Sequence, residues 1–262
     1  MDNKDHLSES KFDYVLEQIN RMFRVSDISQ PISSASDIEV AREKSESNGF
    51  SHVPISDEDG NFMEYYDAKA DKIISIKLGA QILSDGTGIM EIIPLMTKNE
   101  FFFVLTGDKI KKNIHFSDLN GPYISIGLYA KLNHLEDTIR RAVRKKVGNG
   151  EKEQVKYLKV NLSKNDFEKI NRQYNGKKNA DLQIDPINEL YIDQELTLAR
   201  ELNLTKIDSE TIKEFTTMRN SLVHFSDIIK RQEDVKKWVQ FLDESDRIIK
   251  NANKFLNSQD IS

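Results

Sequence analysis

Apolar residues near the start of the chain recur every three or four positions. This stripe consists of Phe12, Val15, Leu16, Ile19, Met22 and Phe23. Such spacing places the apolar side chains on one face of an α-helix. Ser10 stands just before the stripe and is a favourable N-terminal capping residue. We therefore expect a first helix within residues 1–24.

The following part of the chain repeats one pattern twice. In each copy a helix begins at a capping residue, Ser36 or Thr87, and ends at an asparagine, Asn48 or Asn99. Two short apolar segments separated by a turn follow each helix, which predicts a strand hairpin. The helix starts and the helix ends are separated by the same number of residues, so we interpret the copies as an internal repeat. A single copy would expose an apolar sheet face, and we expect the two to pack together.

The pattern changes after Gly121-Pro122. Apolar residues at helical spacing predict a long helix from about Leu128 to Val143 and further helices over 184–202, 208–225 and 230–256. Short links between long helices are typical of a bundle.

Two shorter segments interrupt this helical pattern. Residues 154–160 alternate like a strand, and residues 175–179 have the composition of a loop. The predicted fold class is α+β, with an N-terminal helix in 1–24, a βαββα-type repeat pair in 25–121 and an all-α helical bundle in 122–262. The two repeats are expected over about 25–72 and 73–121.

Composition narrows the class of protein. The absence of cysteine excludes disulfides and thiolate metal sites and favours a reducing compartment. The first residues are charged and resemble no signal peptide, and no segment approaches the roughly 18 apolar residues of a membrane span. We expect a cytoplasmic protein with no membrane partner. The net charge of -5 argues against a general nucleic-acid coat protein.

Three segments of the repeated module carry a family pattern: NGFSHVPI at 48–55, FFFVL at 101–105 and NIHFSDL at 113–119. They resemble the cystathionine-β-synthase (CBS) domain pair over roughly residues 25 to 121. The resemblance implies two βαββα units that pair into a disc. It also implies clefts for an adenine nucleotide (AMP, ADP or ATP) as a regulatory ligand, with no metal.

The resemblance also implies ligand-binding residues. Asp118 matches the aspartate that holds the ribose hydroxyls, since a carboxylate accepts two hydrogen bonds from a vicinal diol. His115 stands where the family has threonine or serine and Lys112 where it has glycine, so the match is partial. Ser117 and Thr87 are further candidates.

Each of these assignments has a structural alternative. Asp118 could serve only as a cap for the helix that follows it. His52 matches a cleft-lining strand of the family, but it is also typical of a partly buried histidine at a strand start. In the first copy Ala70 or Asp71 occupies the place equivalent to Asp118, which predicts one functional cleft and one without ligand.

A second motif lies in the predicted helix 208–225. Asn220 and His224 are four residues apart and share a helix side, while Arg219 is roughly 140° away from His224. Arg219, Asn220 and His224 resemble the Arg…His motif of HEPN domains, helical nucleotide-processing modules. The resemblance implies a homodimer and metal-independent cleavage of RNA. His224 would act as acid or base, Arg219 would hold the phosphate and Asn220 would orient them.

The alternative for this motif is structural. Arg219 could pair with Glu214 or Asp227, and His224 could bond to carbonyls at the helix end. A basic run, Arg140, Arg141, Arg144, Lys145 and Lys146, is either an RNA contact or a solvated helix face.

Two functions remain open from the sequence, besides a purely structural pair of repeats that binds no ligand. The first is an adenine-nucleotide sensor that regulates a HEPN-like module, which could be a metal-independent endoribonuclease of toxin or defence type. The second is a non-catalytic nucleotide-binding regulatory or scaffold protein that dimerises through both modules.

Overall fold

The computed structural model describes residues 6–58, 62–77, 79–180, 184–223 and 228–258, with side chains from residue 14 onwards. These residues divide into two compact units. The front unit comprises residues 13–127 and 229–237, and the helical unit comprises residues 6–12, 128–228 and 238–258. The division in the middle of the chain follows Gly127, close to the predicted change at Gly121-Pro122. The segment 229–237, which the sequence placed in the bundle, groups with the front unit.

The first 127 residues contain four helices and seven strands among the described residues. In chain order they are α1 (His6–Met22), α2 (Val25–Ile28), β1 (Gln30–Pro31), α3 (Ile38–Asn48), β2 (His52–Ser56), β3 (Phe62–Asp67), β4 (Lys72–Ser75), β5 (Ile82–Ser84), α4 (Ile89–Leu95), β6 (Phe101–Thr106) and β7 (Lys109–His115). A 3₁₀-helix, Phe116–Asn120, follows β7.

The strands of the front unit form two sheets. One sheet has the order β1-β7-β6-β5, in which β5 and β6 are parallel and the other pairs are antiparallel. The other sheet has the order β2-β3-β4 and is antiparallel throughout. The two predicted hairpins, β2–β3 and β6–β7, are both present, and each follows a helix. In the first copy, Ala35 lies before α3 and forms a parallel bridge with Ile55 of β2.

The helix boundaries of the two copies differ from the predicted ones. Asp37, not Ser36, caps α3, because its carboxylate accepts the Val40 amide at 2.9 Å. Gly88, not Thr87, is the N-cap of α4. That helix ends at Leu95 instead of Asn99, and the Thr97 amide donates to the Pro94 carbonyl in a tighter turn.

Aromatic residues fill the core of the front unit. One cluster combines Tyr65, Ile76, Phe101, Phe103 and Ile110 from both sheets. The run Phe101–Val104 is buried at every position, so β6 is covered on both faces and has no polar alternation. A smaller cluster joins Ala41 of α3 to Val53 and Tyr66 of the β2–β3 hairpin.

The rest of the chain is helical in its described residues. It contains α5 (Pro122–Val147), α6 (Glu151–Asn161), α7 (Lys164–Lys178), a 3₁₀-helix (Pro186–Glu189), α8 (Ile192–Glu201), α9 (Ser209–Val223) and α10 (Gln232–Asn257). In the helical unit Trp238 is buried, and the rings of Trp238 and Phe215 both meet the ring of Phe241 edge-on. The mixed α+β class with a helical C-terminal region is confirmed. Among the described residues, no helix has both the length and the hydropathy that crossing a bilayer requires.

Three local predictions were wrong. The predicted strand 154–160 belongs to α6, where the buried residues are Gln154 and Leu158, one helical turn apart, while Val160 is 75% exposed. The predicted loop 175–179 lies largely within α7, which continues to Lys178. The first helix begins at His6, so Ser10 lies inside it and does not cap it.

Candidate functional site

A cleft of about 350 Å³ lies in the front unit. Four chain segments line it: residues 30–33, residues 49–52, Phe101 and the end of β7 with the turn after it. The cleft wall consists of side-chain or backbone atoms of Gln30, Pro31, Ile32, Ser33, Gly49, Phe50, Ser51, His52, Phe101, Asn113, His115, Ser117 and Asp118. Four of the five predicted ligand-binding residues, His52, His115, Ser117 and Asp118, therefore share one cavity.

Strand pairing explains this convergence. Gln30 in β1 is paired with Asn113 in β7, and Phe101 at the start of β6 is paired with His115 at the end of β7. The strand ends thus bring residues that are far apart in sequence to one edge of the four-stranded sheet. His52 at the start of β2 joins them because its ring stacks on Phe101, with ring centroids 3.7 Å apart.

His52 is neutral at physiological pH. Burial lowers its pKa from 6.5 to about 4, and the attraction of Asp67 offsets this only in part. The ring also meets Tyr65 edge-on at 5.7 Å. His52 therefore occupies the position of a partly buried histidine at a strand start, as the structural alternative predicted, and lines the cleft as well.

Asp118 caps a 3₁₀-helix, as its structural alternative predicted, and it also lines the cleft. Its Oδ2 accepts the backbone amide of His115 at 2.8 Å and so caps the 3₁₀-helix Phe116–Asn120. Its carboxylate also accepts a hydrogen bond from the Gln30 side chain, and it lines the cleft. Burial raises the pKa of Asp118 by more than these hydrogen bonds lower it.

His115 faces the same cleft with a defined tautomer. The Ser117 amide donates to His115 Nδ1 at 3.4 Å, and the Ser117 hydroxyl lies 3.0 Å from the same nitrogen. Because a backbone amide can only donate, we assign Nδ1 as the acceptor and place the proton on Nε2. Burial lowers the pKa of His115, so the ring favours the neutral form.

Thr87 and the first-copy carboxylate lie apart from this cleft lining. The Thr87 carbonyl accepts the Val25 amide at 2.8 Å beside the start of α4. Asp71 is exposed, and its Oδ1 accepts hydrogen bonds from Arg42 at 2.9 Å and from the Tyr66 hydroxyl at 2.8 Å. Asp71, one of the two residues that could stand in the place of Asp118 in the first copy, is therefore held in a surface ion pair.

The Arg219 motif lies in the helical unit. Arg219 Nε is 3.7 Å from Glu136 Oε1 of α5, a contact that the structural alternative did not name. Asp227, one of the two partners that it named, lies outside the described residues. Arg219 lines a cleft of about 550 Å³ together with Arg172, Lys177 and Tyr191. Asn220 is exposed on α9, and His224 lies outside the described residues. The structure thus places two members of the predicted trio and leaves their approach to His224 a prediction.

Four residues of the basic run of α5 have partners within the helical unit. Arg140 pairs with Glu195, Arg141 with Asp137 and Arg144 with Asp185, at 2.5, 3.1 and 2.8 Å. Lys145 donates to the carbonyl of Leu256. Three of these residues, Arg140, Arg144 and Lys145, bond to other segments of the helical unit, so the run is not simply a solvated helix face. An RNA contact stays a prediction.

Sequence reasoning missed several lining residues. Gln30 and Asn113 reach the cleft only through the β1–β7 pairing, which no local pattern indicates. Phe50 had a local signal, because it follows Gly49, the left-handed C-cap of α3 with φ 70°. Phe101 lies in an apolar run typical of core, and it is only 5% exposed, yet it also lines the cleft.

Residues 6–58, 62–77, 79–180, 184–223 and 228–258 contain no group of three or more histidine and acidic residues arranged to hold a metal ion. No protein-family model matches the chain. No curated protein is significantly similar to it in sequence.

Proposed function

We propose that this chain is a regulatory protein whose front unit, a CBS-type pair, binds an adenine nucleotide in the cleft around Asp118. The observation that carries the proposal is the convergence of His52, His115, Ser117 and Asp118 on one cavity. These residues belong to two separate sequence motifs, and Phe101 links them: it is paired with His115 across β6 and β7, and the His52 ring stacks on it.

The chemistry of the cleft suits a nucleoside. A volume of about 350 Å³ falls within the range of small-molecule sites, roughly 300–1,000 Å³. Asp118 offers a carboxylate to a ribose diol, and the aromatic rings of Phe50 and Phe101 offer apolar surface to a base. The amides of Gln30 and Asn113 can each donate and accept hydrogen bonds with the polar edge of a base.

The topology of the second copy supports the same proposal. Helix α4 connects strand β5 to strand β6, which lies parallel to it. Strand β6 then forms a hairpin with β7, and the 3₁₀-helix follows β7. This β-α-β-β order, followed by a 3₁₀-helix, is compatible with the βαββα unit that the resemblance to CBS domains implies. The engagement of Asp71 by Arg42 and Tyr66 supports the expectation that only one of the two copies supplies a ribose-binding carboxylate.

The helical unit is the module that the ligand would regulate. A ligand shifts a conformational equilibrium only by its difference in affinity between the two states. The proposed regulation therefore requires that nucleotide binding change the hydrogen-exchange protection of α9, which carries Arg219 and Asn220. Cleavage of RNA by Arg219, Asn220 and His224 in a homodimer stays a separate prediction. It requires that purified protein degrade RNA in EDTA and that His224→Ala abolish this activity.

Isothermal titration with AMP, ADP and ATP tests the nucleotide-binding proposal. Asp118→Asn is the informative variant, because asparagine keeps the capping hydrogen bond and removes the charge. Loss of charge-assisted hydrogen bonds should weaken binding by about tenfold or more. Asp71→Asn is the matched control and should bind as the unchanged protein does. Absence of binding by all three nucleotides, or unchanged binding by Asp118→Asn, would contradict the proposal.

A further inference from the structure

The cleft around Arg219 in the helical unit has a positively charged lining. Arg172 and Lys177 reach it from α7, and Arg219 reaches it from α9. Glu189 is the only acidic residue of this lining in the part of the chain that the structure describes. The lining therefore carries a net positive charge, although the whole chain has a net charge of -5.

The contacts of these cations within the protein leave hydrogen-bond donors for a ligand. Lys177 Nζ lies 2.9 Å from each carboxylate oxygen of Glu189, and an ammonium group has three N–H donors. Arg219 faces Glu136 through Nε, and a guanidinium group has four further N–H donors. Arg172 is exposed and has no ion-pair partner among the described residues. An anion could therefore bind to all three cations without breaking their present contacts.

Helix α7 presents one face to this cleft. Arg172 and Gly176 are four residues apart and lie on the same side of the helix. Lys169, one turn earlier, places its ammonium group 4.0 Å from the ring centroid of Tyr191, which also lines the cleft. A fourth cation thus adjoins the lining.

The glycine on this face keeps space open. Glycine inside a helix lowers stability relative to alanine. A methyl group built on Gly176 would meet no atom within 4 Å, so close packing does not require glycine there. A larger side chain at Gly176 would instead project into the cleft between the cations. Room for a ligand explains the residue.

We infer that this cleft is a second ligand site, which binds a compact ligand carrying linked phosphate groups. Arginine and lysine are the usual protein ligands of phosphate, and one guanidinium group can hold two phosphate oxygens. The cleft volume of about 550 Å³ falls within the range of small-molecule sites, roughly 300–1,000 Å³. The inference goes beyond the proposed function, because it depends neither on nucleotide binding in the front unit nor on cleavage of RNA.

The distribution of charge favours a compact ligand over a nucleic-acid strand. A strand is held by cations that follow its backbone over several nucleotides. In the helical unit Arg140, Arg144 and Lys145 bond to other segments of the protein and form no free track of this kind. Arg172, Lys177 and Arg219, in contrast, surround one cavity.

Titration calorimetry with inorganic tripolyphosphate, in EDTA at pH 7.5, tests the inference. This probe has linked phosphate groups and no ribose that Asp118 could bind. Arg172→Glu should weaken its binding by about tenfold or more, because a charge-assisted contact becomes a repulsion. Lys159→Glu makes the same change of charge at an exposed position of α6 outside the lining and should leave the affinity unchanged.

A pair of variants at Gly176 tests the space in the cleft. Gly176→Leu should abolish binding by filling the cleft, and leucine favours the helix, so the fold should survive. Thermal denaturation checks this. Gly176→Ala adds a methyl group that meets no atom within 4 Å and should keep binding.

A single-stranded DNA oligonucleotide of about ten nucleotides separates the two sources of phosphate. Binding of tripolyphosphate that Arg172→Glu and Gly176→Leu weaken, and that Lys159→Glu and Gly176→Ala do not, supports the inference. Absence of tripolyphosphate binding, or binding that Arg172→Glu and Gly176→Leu leave unchanged, overturns it. An equal loss in Lys159→Glu would show general attraction by charge and overturn it too. Tighter binding of the oligonucleotide than of tripolyphosphate would assign the cleft to a strand and overturn the compact ligand.

Discussion

Arg140 Nε lies 2.5 Å from Glu195 Oε1, and the Glu195 side chain has no exposed surface. This contact links α5 to α8 inside the helical unit. Arg140 also donates to the Leu190 carbonyl at 3.1 Å and lies 3.8 Å from Glu136 Oε2. Burial raises the pKa of Glu195 well above its usual range, with repulsion from Glu136 adding to the effect, so the site disfavours a charged carboxylate even beside Arg140.

Replacing Arg140 and replacing Glu195 should therefore destabilise the protein by different amounts. Arg140→Met leaves two buried carboxyl groups without their shared cation and should destabilise the protein by about 3 kcal/mol. Glu195→Gln replaces the disfavoured charge with a neutral group of the same shape and should cost less than about 1 kcal/mol. Urea denaturation of both variants at pH 7 measures the difference.

An exposed ion pair serves as the control for this comparison. Lys164 and Glu168 are 3.9 Å apart on α7 with side chains 87% and 54% exposed. Lys164→Met should change stability by less than about 0.5 kcal/mol, since exposed pairs are weak. Equal losses for Arg140→Met and Glu195→Gln would show that the pair acts as an ordinary ion pair and not as a carboxyl held by its arginine.

His52 should make stability depend on pH. The unfolded chain binds a proton at this residue near pH 6.5, whereas the folded protein does so only near pH 4. Stability from the neutral ring is therefore complete above about pH 6.5 and is lost as the pH falls towards 4. Since the site is partly open to solvent, we expect a loss of about 1–2 kcal/mol.

The variant His52→Phe isolates this contribution. Phenylalanine keeps a ring against Phe101 and cannot titrate. Chemical denaturation at pH 7 and at pH 4.5 should show that the unchanged protein loses more stability than His52→Phe over this interval. Equal losses would mean that His52 titrates at its ordinary pKa in the folded protein.

Helix α6 provides a direct test of local structure. Leu158 is 1% exposed and Val160 is 75% exposed. In a strand these two residues would share a face, whereas in a helix they point in different directions. Leu158→Ala should destabilise the protein by about 2–4 kcal/mol and Val160→Ala by less than about 0.5 kcal/mol. Similar losses would favour the strand that the alternating pattern predicted.

The wrong strand prediction for residues 154–160 shows that a local pattern does not reveal which residues are buried. Alternation predicts a strand only when alternate residues are buried, and burial depends on the helices that pack around the segment. Val155 and Val160 stay partly or largely exposed, so the alternation carries no information about the core. The Phe101–Val104 strand was predicted correctly because an unbroken apolar run fits a covered strand.

The site could be predicted only where a motif lies within one segment. His115, Ser117 and Asp118 stand together in seven residues of a recognisable pattern, and His52 stands in another. The approach of Gln30 to Asn113 depends on strand pairing across more than eighty residues of chain, which local spacing does not encode. The pairing of Arg140 with Glu195 likewise depends on how α5 and α8 pack.

Gly176 and Gly107 differ in the backbone conformation that they adopt. Gly176 lies inside α7, and a methyl group built on it would meet no atom within 4 Å. Gly107 forms the turn between β6 and β7 with φ 65°, in the left-handed region. Gly176→Ala should raise the free energy of unfolding by about 0.5–1 kcal/mol, because alanine favours the helix. Gly107→Ala should lower it by about 1 kcal/mol, because a side chain is strained at that φ. Urea denaturation of each single variant measures both effects, and a loss of stability in Gly176→Ala would mean that residues 175–179 form the loop first predicted from the sequence.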